Sequence, residues 1–547
     1  MNAIPKTHSP AWFLLFALMF ATQIIPRFWG DSLTNDEPLE LANGYFYLTQ
    51  GDVISHQKHP PFSKILAALP LLALNLKEPL PNGDAMDRAY GFFFRENRDR
   101  LQMATCLGRL SALILGLGIG FMLYGILRSR PLPILLTGLS LWALDPSLSA
   151  FSGLALADLP AAFFFLAAIL SFQWSQEGKT RWQPVLTGVL TGMAITCKFS
   201  ALTLIPVFLT LEWMPKVSGE PIKEGPISRL PKWLWGVGGC GFWIFLLYLP
   251  GTFAPGNHFF PFRYFWDGLM EMVHYHNHPV YFMGETGRQN HWAYFPLAFI
   301  LKSPLPFLLF LGAGLILLAL GRLPLLPWQW APGIIFFAFI IPVQDLGIRY
   351  LLPAYPFLIL VAAEAFGWFW SVGGGRLPVK IVLASLVLFQ GLSVGASYPH
   401  AISYFNELIA PERKLFWLGD SNLDISQDLK RLSETQKRRG WERVKLAYLG
   451  GSDPSAYGLS WTPWKEEDLK APQPGEVYAV NASFIQLAPL MYPETRPIAS
   501  SWLSQATPTE KVNDTWYVFE IPGKKNPTDG RNLTSVPFQQ NRGYLGW

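Results

Sequence analysis

Long apolar runs recur along most of the chain. They lie near 11–26, 103–127, 131–150, 157–174, 182–197, 199–214, 233–250, 295–320, 324–342, 350–371 and 378–397. Their lengths approach or exceed the roughly 20 apolar residues of a membrane helix, so the pattern predicts about eleven spans. The fifth and sixth are short and almost continuous. Between the first two runs the pattern changes. Residues 35–50 place Leu39, Ala42 and Phe46 on one helical face and Asp36, Glu40 and Asn43 on another. Residues 61–76 are apolar but interrupted by Pro70, which predicts a helix lying in the membrane interface and not a span. After 399 the apolar runs stop. An amphipathic helix is predicted over 425–439, with strands at 444–449, 476–481, 496–500 and 515–521. The expected fold is a polytopic α-helical membrane domain, residues 1–398, followed by a small α/β domain, residues 399–547.

Composition agrees with this reading. Of 547 residues, 50% are hydrophobic and only 15% charged, against about 25% charged in soluble domains. The net charge of +5 is small, and many basic residues sit in short loops. That distribution is a topology signal and not a nucleic-acid surface. Cys106, Cys197 and Cys240 all fall in apolar segments, so no disulfide framework is implied. The first run lacks a signal-peptide cleavage pattern and is read as a retained span.

The positive-inside rule orients the spans. With the N-terminus inside, Lys6, Arg128, Arg130, Lys179, Arg181, Lys216 through Lys232, Arg322, Arg376 and Lys380 all fall on one side. Three large segments then face outward: 27–102, 251–294 and 399–547. Eight of the nine histidines lie in them, with only His8 inside. Titratable chemistry is thus concentrated on the outer face.

Several residues there have two readings. "TNDE" at 34–37 fits a helix-capping box between Thr34 and Glu37. The same carboxylates could act as a general base at the lipid–water boundary. Asp158, two residues before Pro160, fits an N-cap or an active-site acid. Arg349, at the outer entry of the tenth run, fits an interfacial snorkelling residue or a bidentate phosphate ligand. Arg109 lies inside the second span, where a charge is a functional candidate unless it pairs for structure. His274, His276 and His278 in "HYHNH" share one face of an extended chain and are weak candidates for a divalent metal site. "DSNLDISQD" near 420 is acidic but lacks the glycine and spacing of a calcium loop.

The ordered motifs resemble a known family. "DE" after the first run is followed by "HPPFSK", then "LALADLPAAFFF" (154–165), "CKFSALTLIP" (197–206), "HPVYFMGE…HWAYFPLAFILKSPLP" (278–306), "GIRYLLPAYPFL" (347–358) and "PHAISYFNELIAP…LGDSNLDISQDL" (399–429). This series resembles the GT-C superfamily of membrane glycosyltransferases. Family 39 is the most similar branch, with protein O-mannosyltransferases and the lipid A aminoarabinose transferase among its members. The chain departs from the family where Ile425-Ser426 replaces the usual Trp-Gly.

The resemblance implies inverting transfer of a sugar from a polyprenyl-phosphate-linked donor. The acceptor hydroxyl would belong to a protein, lipid A or another glycan, outside a bacterial cytoplasmic membrane. It implies Asp36 as base, with Glu37 and Asp158 as further active-site acids. Arg349, Lys198, Lys302 and Arg109 become donor-phosphate ligands. His59, His278, Tyr281 and Glu285 become substrate-loop residues. No cofactor is required beyond a possible divalent metal. A transporter or flippase of lipid-linked saccharide is the alternative class, but it predicts paired inverted repeats, and none is evident.

Overall fold

A computed structural model describes residues 7–53, 59–77, 84–177, 180–214, 226–252, 262–274, 278–372, 376–491 and 502–523. Each predicted apolar run contains a helix. Six helices among the described residues are long and apolar enough to cross a membrane: Ala11–Gly30, Arg98–Leu127, Asp158–Gln176, Pro231–Gly251, Ile348–Val372 and Leu377–Ala396. Shorter apolar helices fill the other runs, including Leu132–Ala143, Trp182–Cys197, Leu204–Trp213 and Pro327–Ile340. The run at 295–320 divides into Tyr294–Lys302 and Leu305–Ala319, because Pro304 cannot donate an intrahelical hydrogen bond. Large apolar side chains such as Leu14, Leu18, Ile114, Phe121, Leu388 and Leu392 are exposed along these helices. An apolar exterior of this kind suits lipid and not water. The protein is a multi-pass helical membrane protein.

Helix Glu37–Gln50 occupies the predicted 35–50 segment and ends at Gly51, whose φ of 69° closes it with a left-handed cap. The 61–76 segment is α-helical only over Pro61–Ala68. It tightens to a 3₁₀ helix over Leu69–Leu74, where Pro70 stands. These two helices touch backbone to backbone. A Cβ on Gly44 would lie 2.1 Å from the Lys64 carbonyl oxygen, so only glycine fits that crossing.

The predicted soluble part contains a five-stranded mixed sheet. Numbering strands along the chain, β1 (Val280–Phe282) and β2 (Glu285–Gly287) form a small hairpin ahead of helix Tyr294–Lys302. The sheet comprises β3 (Val444–Ala447), β4 (Trp461–Pro463), β5 (Val477–Asn481), β6 (Glu510–Val512) and β7 (Trp516–Glu520), in the order β4-β3-β5-β7-β6. β3 pairs parallel with β4 and β5, while β7 runs antiparallel to β5 and β6. Strands β3, β5 and β7 match predicted segments. The very short β4 and β6 lack the alternating pattern that would reveal them. The predicted strand at 496–500 lies outside the described residues. Helix Leu429–Arg439 packs on the sheet through Leu429 and Leu432. It starts later than the predicted 425, because residues 425–427 are engaged with the loop at 32–35.

That engagement ties the tail to the membrane part. Ser32 and Asn35 donate backbone hydrogen bonds to the carbonyls of Gln427 and Ile425 at 2.9 and 3.0 Å. Ser426 has a φ of 72°, a left-handed conformation that favours glycine. This is the position where the resembled family usually has Gly. The Ser426 hydroxyl donates to Asn35 Oδ1 at 2.7 Å, a contact glycine could not make. On the other side of the same loop, Gly347 has a φ of 109°, and a Cβ there would meet Ser421 Oγ at 1.9 Å.

Candidate active site

Several chain segments converge on a cavity of about 250 Å³ at the ends of the helices. Asp36, Glu40, His59, Asp158, Lys198, His278, Arg349 and Tyr350 supply its polar lining, with Leu39, Met86, Leu156, Met272 and Leu346 among the apolar walls. Each central charge sits where a helix begins or breaks. Asp36 immediately precedes helix Glu37–Gln50, with Pro38 in the first turn. Asp158 opens helix Asp158–Glu177. Lys198 is extended (φ −155°, ψ 130°) between helix Trp182–Cys197 and the 3₁₀ helix Phe199–Thr203. Arg349 lies in the 3₁₀ helix Ile348–Ala354, which leads into helix Tyr355–Val372.

These groups form an alternating chain of charges. Arg349 Nη1 donates to Asp36 Oδ2 at 2.7 Å and stands 4.0 Å from Asp158 Oδ2. The other oxygen of Asp158 accepts a hydrogen bond from Lys198 Nζ. Lys198 also lies over the Tyr350 ring, 3.3 Å from its centroid. Arg349 Nε is buried without a hydrogen-bond partner. An unpaired buried donor on a guanidinium is costly, and a ligand acceptor entering the cavity would satisfy it. Burial would raise the Asp36 carboxyl, but the charge and hydrogen bond of the Arg349 guanidinium outweigh it and hold Asp36 below the usual carboxylate range. Burial, reinforced by Lys64 and Lys198, pushes the His59 imidazole down to about 3. His59 is therefore a neutral ring at any ordinary pH.

Asp36 makes no capping hydrogen bond; its carboxylate is committed to Arg349. Glu37 takes the structural role. It accepts the Thr34 N–H at 2.9 Å and the Ala155 N–H at 2.9 Å, and its oxygens receive Arg109 Nε and Nη2 at 2.8 and 2.7 Å. Thr34 Oγ1 makes no bond, so the reciprocal capping box does not form.

Several expected site residues thus lie elsewhere. Glu37 and Arg109 are fully buried against one another, away from the cavity. Arg109 spends its remaining donors on the carbonyls of Arg27, Asp31 and Ser32, which leaves it nothing for a phosphate. Lys302 is also removed from the cavity: its ammonium donates to the carbonyls of Ile402 and Asn422 at 2.7 and 2.6 Å, binding the tail to the end of helix Tyr294–Lys302. Tyr281 is buried, with its Cβ packed toward Gly419, and Glu285 is exposed on β2; neither lines the cavity. His59 and His278 do line it. His274 is exposed at a helix end with Nδ1 on the Met270 carbonyl, and His276 lies outside the described residues. No group of three or more His, Cys, Asp or Glu side chains suited to a metal occurs among the described residues.

Glu40, Tyr350, Met86 and Met272 join the cavity without having been singled out. Glu40 was legible: it stands four residues after Asp36, on the same helical face. Tyr350 follows Arg349 directly, but only the fold places Lys198 on its ring.

Residues 13–215 match the sequence profile of the dolichyl-phosphate-mannose-protein mannosyltransferase family, so the resemblance read from the motifs is met over that part of the chain. No curated protein matches the sequence. Among solved structures, the chain is similar to ArnT from Cupriavidus metallidurans in the apo state, with 12% identity, TM-score 0.48, and 93% of this chain and 97% of that chain covered. The same protein bound to undecaprenyl phosphate gives 13% identity and TM-score 0.45 over 93% and 98% of the two chains. The oligosaccharyltransferase of Archaeoglobus fulgidus gives 11% identity and TM-score 0.40 over 83% and 64%.

Proposed function

We propose that the protein is an inverting glycosyltransferase that moves a sugar from a polyprenyl-phosphate carrier to an acceptor hydroxyl. The reaction takes place at the outer face of a bacterial cytoplasmic membrane. The acceptor is a hydroxyl of a protein, of lipid A or of another glycan. The observation that carries this reading is the charge chain Asp36–Arg349–Asp158–Lys198 at one cavity. It sets a carboxylate base beside two cations at helix ends, where a lipid phosphate can reach them. The matched mannosyltransferase profile covers three of these four residues, Asp36, Asp158 and Lys198.

The geometry supplies the tasks that such a transfer needs. Arg349 is shared by two carboxylates before substrate arrives. A donor phosphate competes for that guanidinium, and its planar fork suits phosphate oxygens. Phosphate binding therefore loosens Asp36 from its cation and leaves its oxygen available to the acceptor hydroxyl. As the acceptor oxygen bonds to the anomeric carbon, its proton passes to Asp36. The bond from that carbon to the phosphate oxygen breaks, and its electron pair leaves with the phosphate. Arg349 and Lys198 stabilise that developing charge. Asp158 holds both cations in place.

Mass spectrometry of envelope glycans and glycolipids in a deletion strain tests this assignment. The expected result is one missing hexose or pentose on a defined glycoconjugate, restored by the intact gene. An unchanged glycan and glycolipid profile contradicts it.

A further inference from the structure

Glu40 is a buried carboxylate facing the reaction cavity that the transfer scheme leaves unused. Its position is built by four helices. On its own helix, Asp36 lies one turn earlier, with the Glu40 N–H donating to the Asp36 carbonyl at 3.1 Å. From helix Pro61–Ala68, Ser63 Oγ donates to Glu40 Oε2 at 3.4 Å, and the Lys64 ammonium faces it. Asp158 acts on it from the opening of the next wall, and Cys197 from the end of helix Trp182–Cys197. Lys64 is itself anchored, donating to the His59 carbonyl at 2.7 Å. The close crossing at Gly44 holds the helices that carry Glu40 and Lys64 together.

We propose that Glu40 is the terminal proton acceptor of the transfer reaction, receiving from Asp36 the proton that the acceptor hydroxyl gives up. This rests on the glycosyltransferase reading and extends it. Asp36 is returned to the carboxylate state that pairs with Arg349, and the proton rests on Glu40 until it exchanges with solvent. No further reactant is needed. The direction follows from the surroundings. Arg349 makes Asp36 a poor place to keep a proton. Burial, with the Asp36 and Asp158 carboxylates adding to it, pushes Glu40 up to about 7 against the pull of Lys64. Burial likewise pushes Lys64 down to about 8, so the pair can share a proton near neutrality. A relay group works best with an affinity near the operating pH.

The test compares wild type, Glu40→Gln and Glu40→Asp in lipid nanodiscs, using a polyprenyl-phosphate sugar that the wild type consumes. Glu40 accepts only when ionised, so wild-type kcat should fall as pH drops through about 7. Glu40→Gln should lower kcat on the order of 100-fold at neutral pH and abolish that limb, with KM for the donor little changed. Glu40→Asp should restore part of both. A limb near neutrality that persists in Glu40→Gln, or an unchanged kcat, overturns the proposal. Infrared pH titration gives a readout independent of turnover. A buried carboxyl that ionises near pH 7 in wild type and disappears in Glu40→Gln supports the assignment, and its absence from wild type overturns it. A wild type that consumes no polyprenyl-phosphate sugar while showing that titration would count against the glycosyltransferase reading alone.

Discussion

Asp36 and Glu37 are neighbours in sequence and opposites in environment. Asp36 opens to the cavity, with its side chain 48% exposed, whereas Glu37 is completely enclosed by Arg109 and two backbone N–H groups. Different failures should follow from their loss. Glu37→Gln leaves a buried guanidinium without its charge partner, which costs about 3–5 kcal/mol of stability. The double replacement Glu37→Leu with Arg109→Met should recover much of that loss in thermal unfolding, because no charge is then stranded. Arg349→Ala acts on chemistry instead. It should weaken donor-lipid binding, measured with polyprenyl phosphate in nanodiscs, and it removes the main influence holding Asp36 low. The base must be ionised to work. Raising its proton affinity therefore moves the ionisation of the Asp36 carboxyl, followed by infrared pH titration, to higher pH than in wild type. A carboxyl titration that stays in place contradicts the Arg349–Asp36 coupling.

At the scale of elements, the site depends on how helix Glu37–Gln50 crosses helix Pro61–Ala68. Asp36 and Glu40 ride on the first, His59 and Lys64 on or beside the second. Gly44→Ala would put a methyl group 2.1 Å from the Lys64 carbonyl oxygen. The helices must separate, at a cost of about 1–3 kcal/mol, and transfer activity should fall although the substitution lies outside the cavity. Unchanged activity and melting temperature would show that the crossing can relax. The sequence made much of this layer legible. Hydrophobic runs located the apolar helices, and periodicity placed the two helices between the first pair of runs and put Asp36 and Glu40 on one face. Pairing was not legible. Nothing near Arg109 in the sequence says that Glu37, 72 residues earlier, absorbs it, nor that Lys302 reaches carbonyls about 100 residues later. Charged residues at membrane depth look alike in sequence whether they hold a substrate or each other.

Across the whole molecule, the tail is a brace for the cavity. It holds residues 32–35 through Ile425 and Gln427. It holds residues 346–348 through Ser421 and Asn422, whose contacts are 2.7 Å to the Leu346 carbonyl and 2.9 Å from the Ile348 N–H. These two stretches deliver Asp36 and Arg349, so the ion pair between them is set by a segment that supplies no cavity residue of its own. The break at Ile425-Ser426 from the family pattern falls within this brace, where the Ser426 hydroxyl substitutes a bond to Asn35 for the freedom of glycine. The central claim is that this assembled pair performs sugar transfer. Its most direct test is release of polyprenyl phosphate from a polyprenyl-phosphate sugar by wild type and Asp36→Asn, with donor binding measured on the same samples. The account predicts that Asp36→Asn folds and binds donor but transfers at least about 100-fold more slowly. Transfer by Asp36→Asn at the wild-type rate would contradict it.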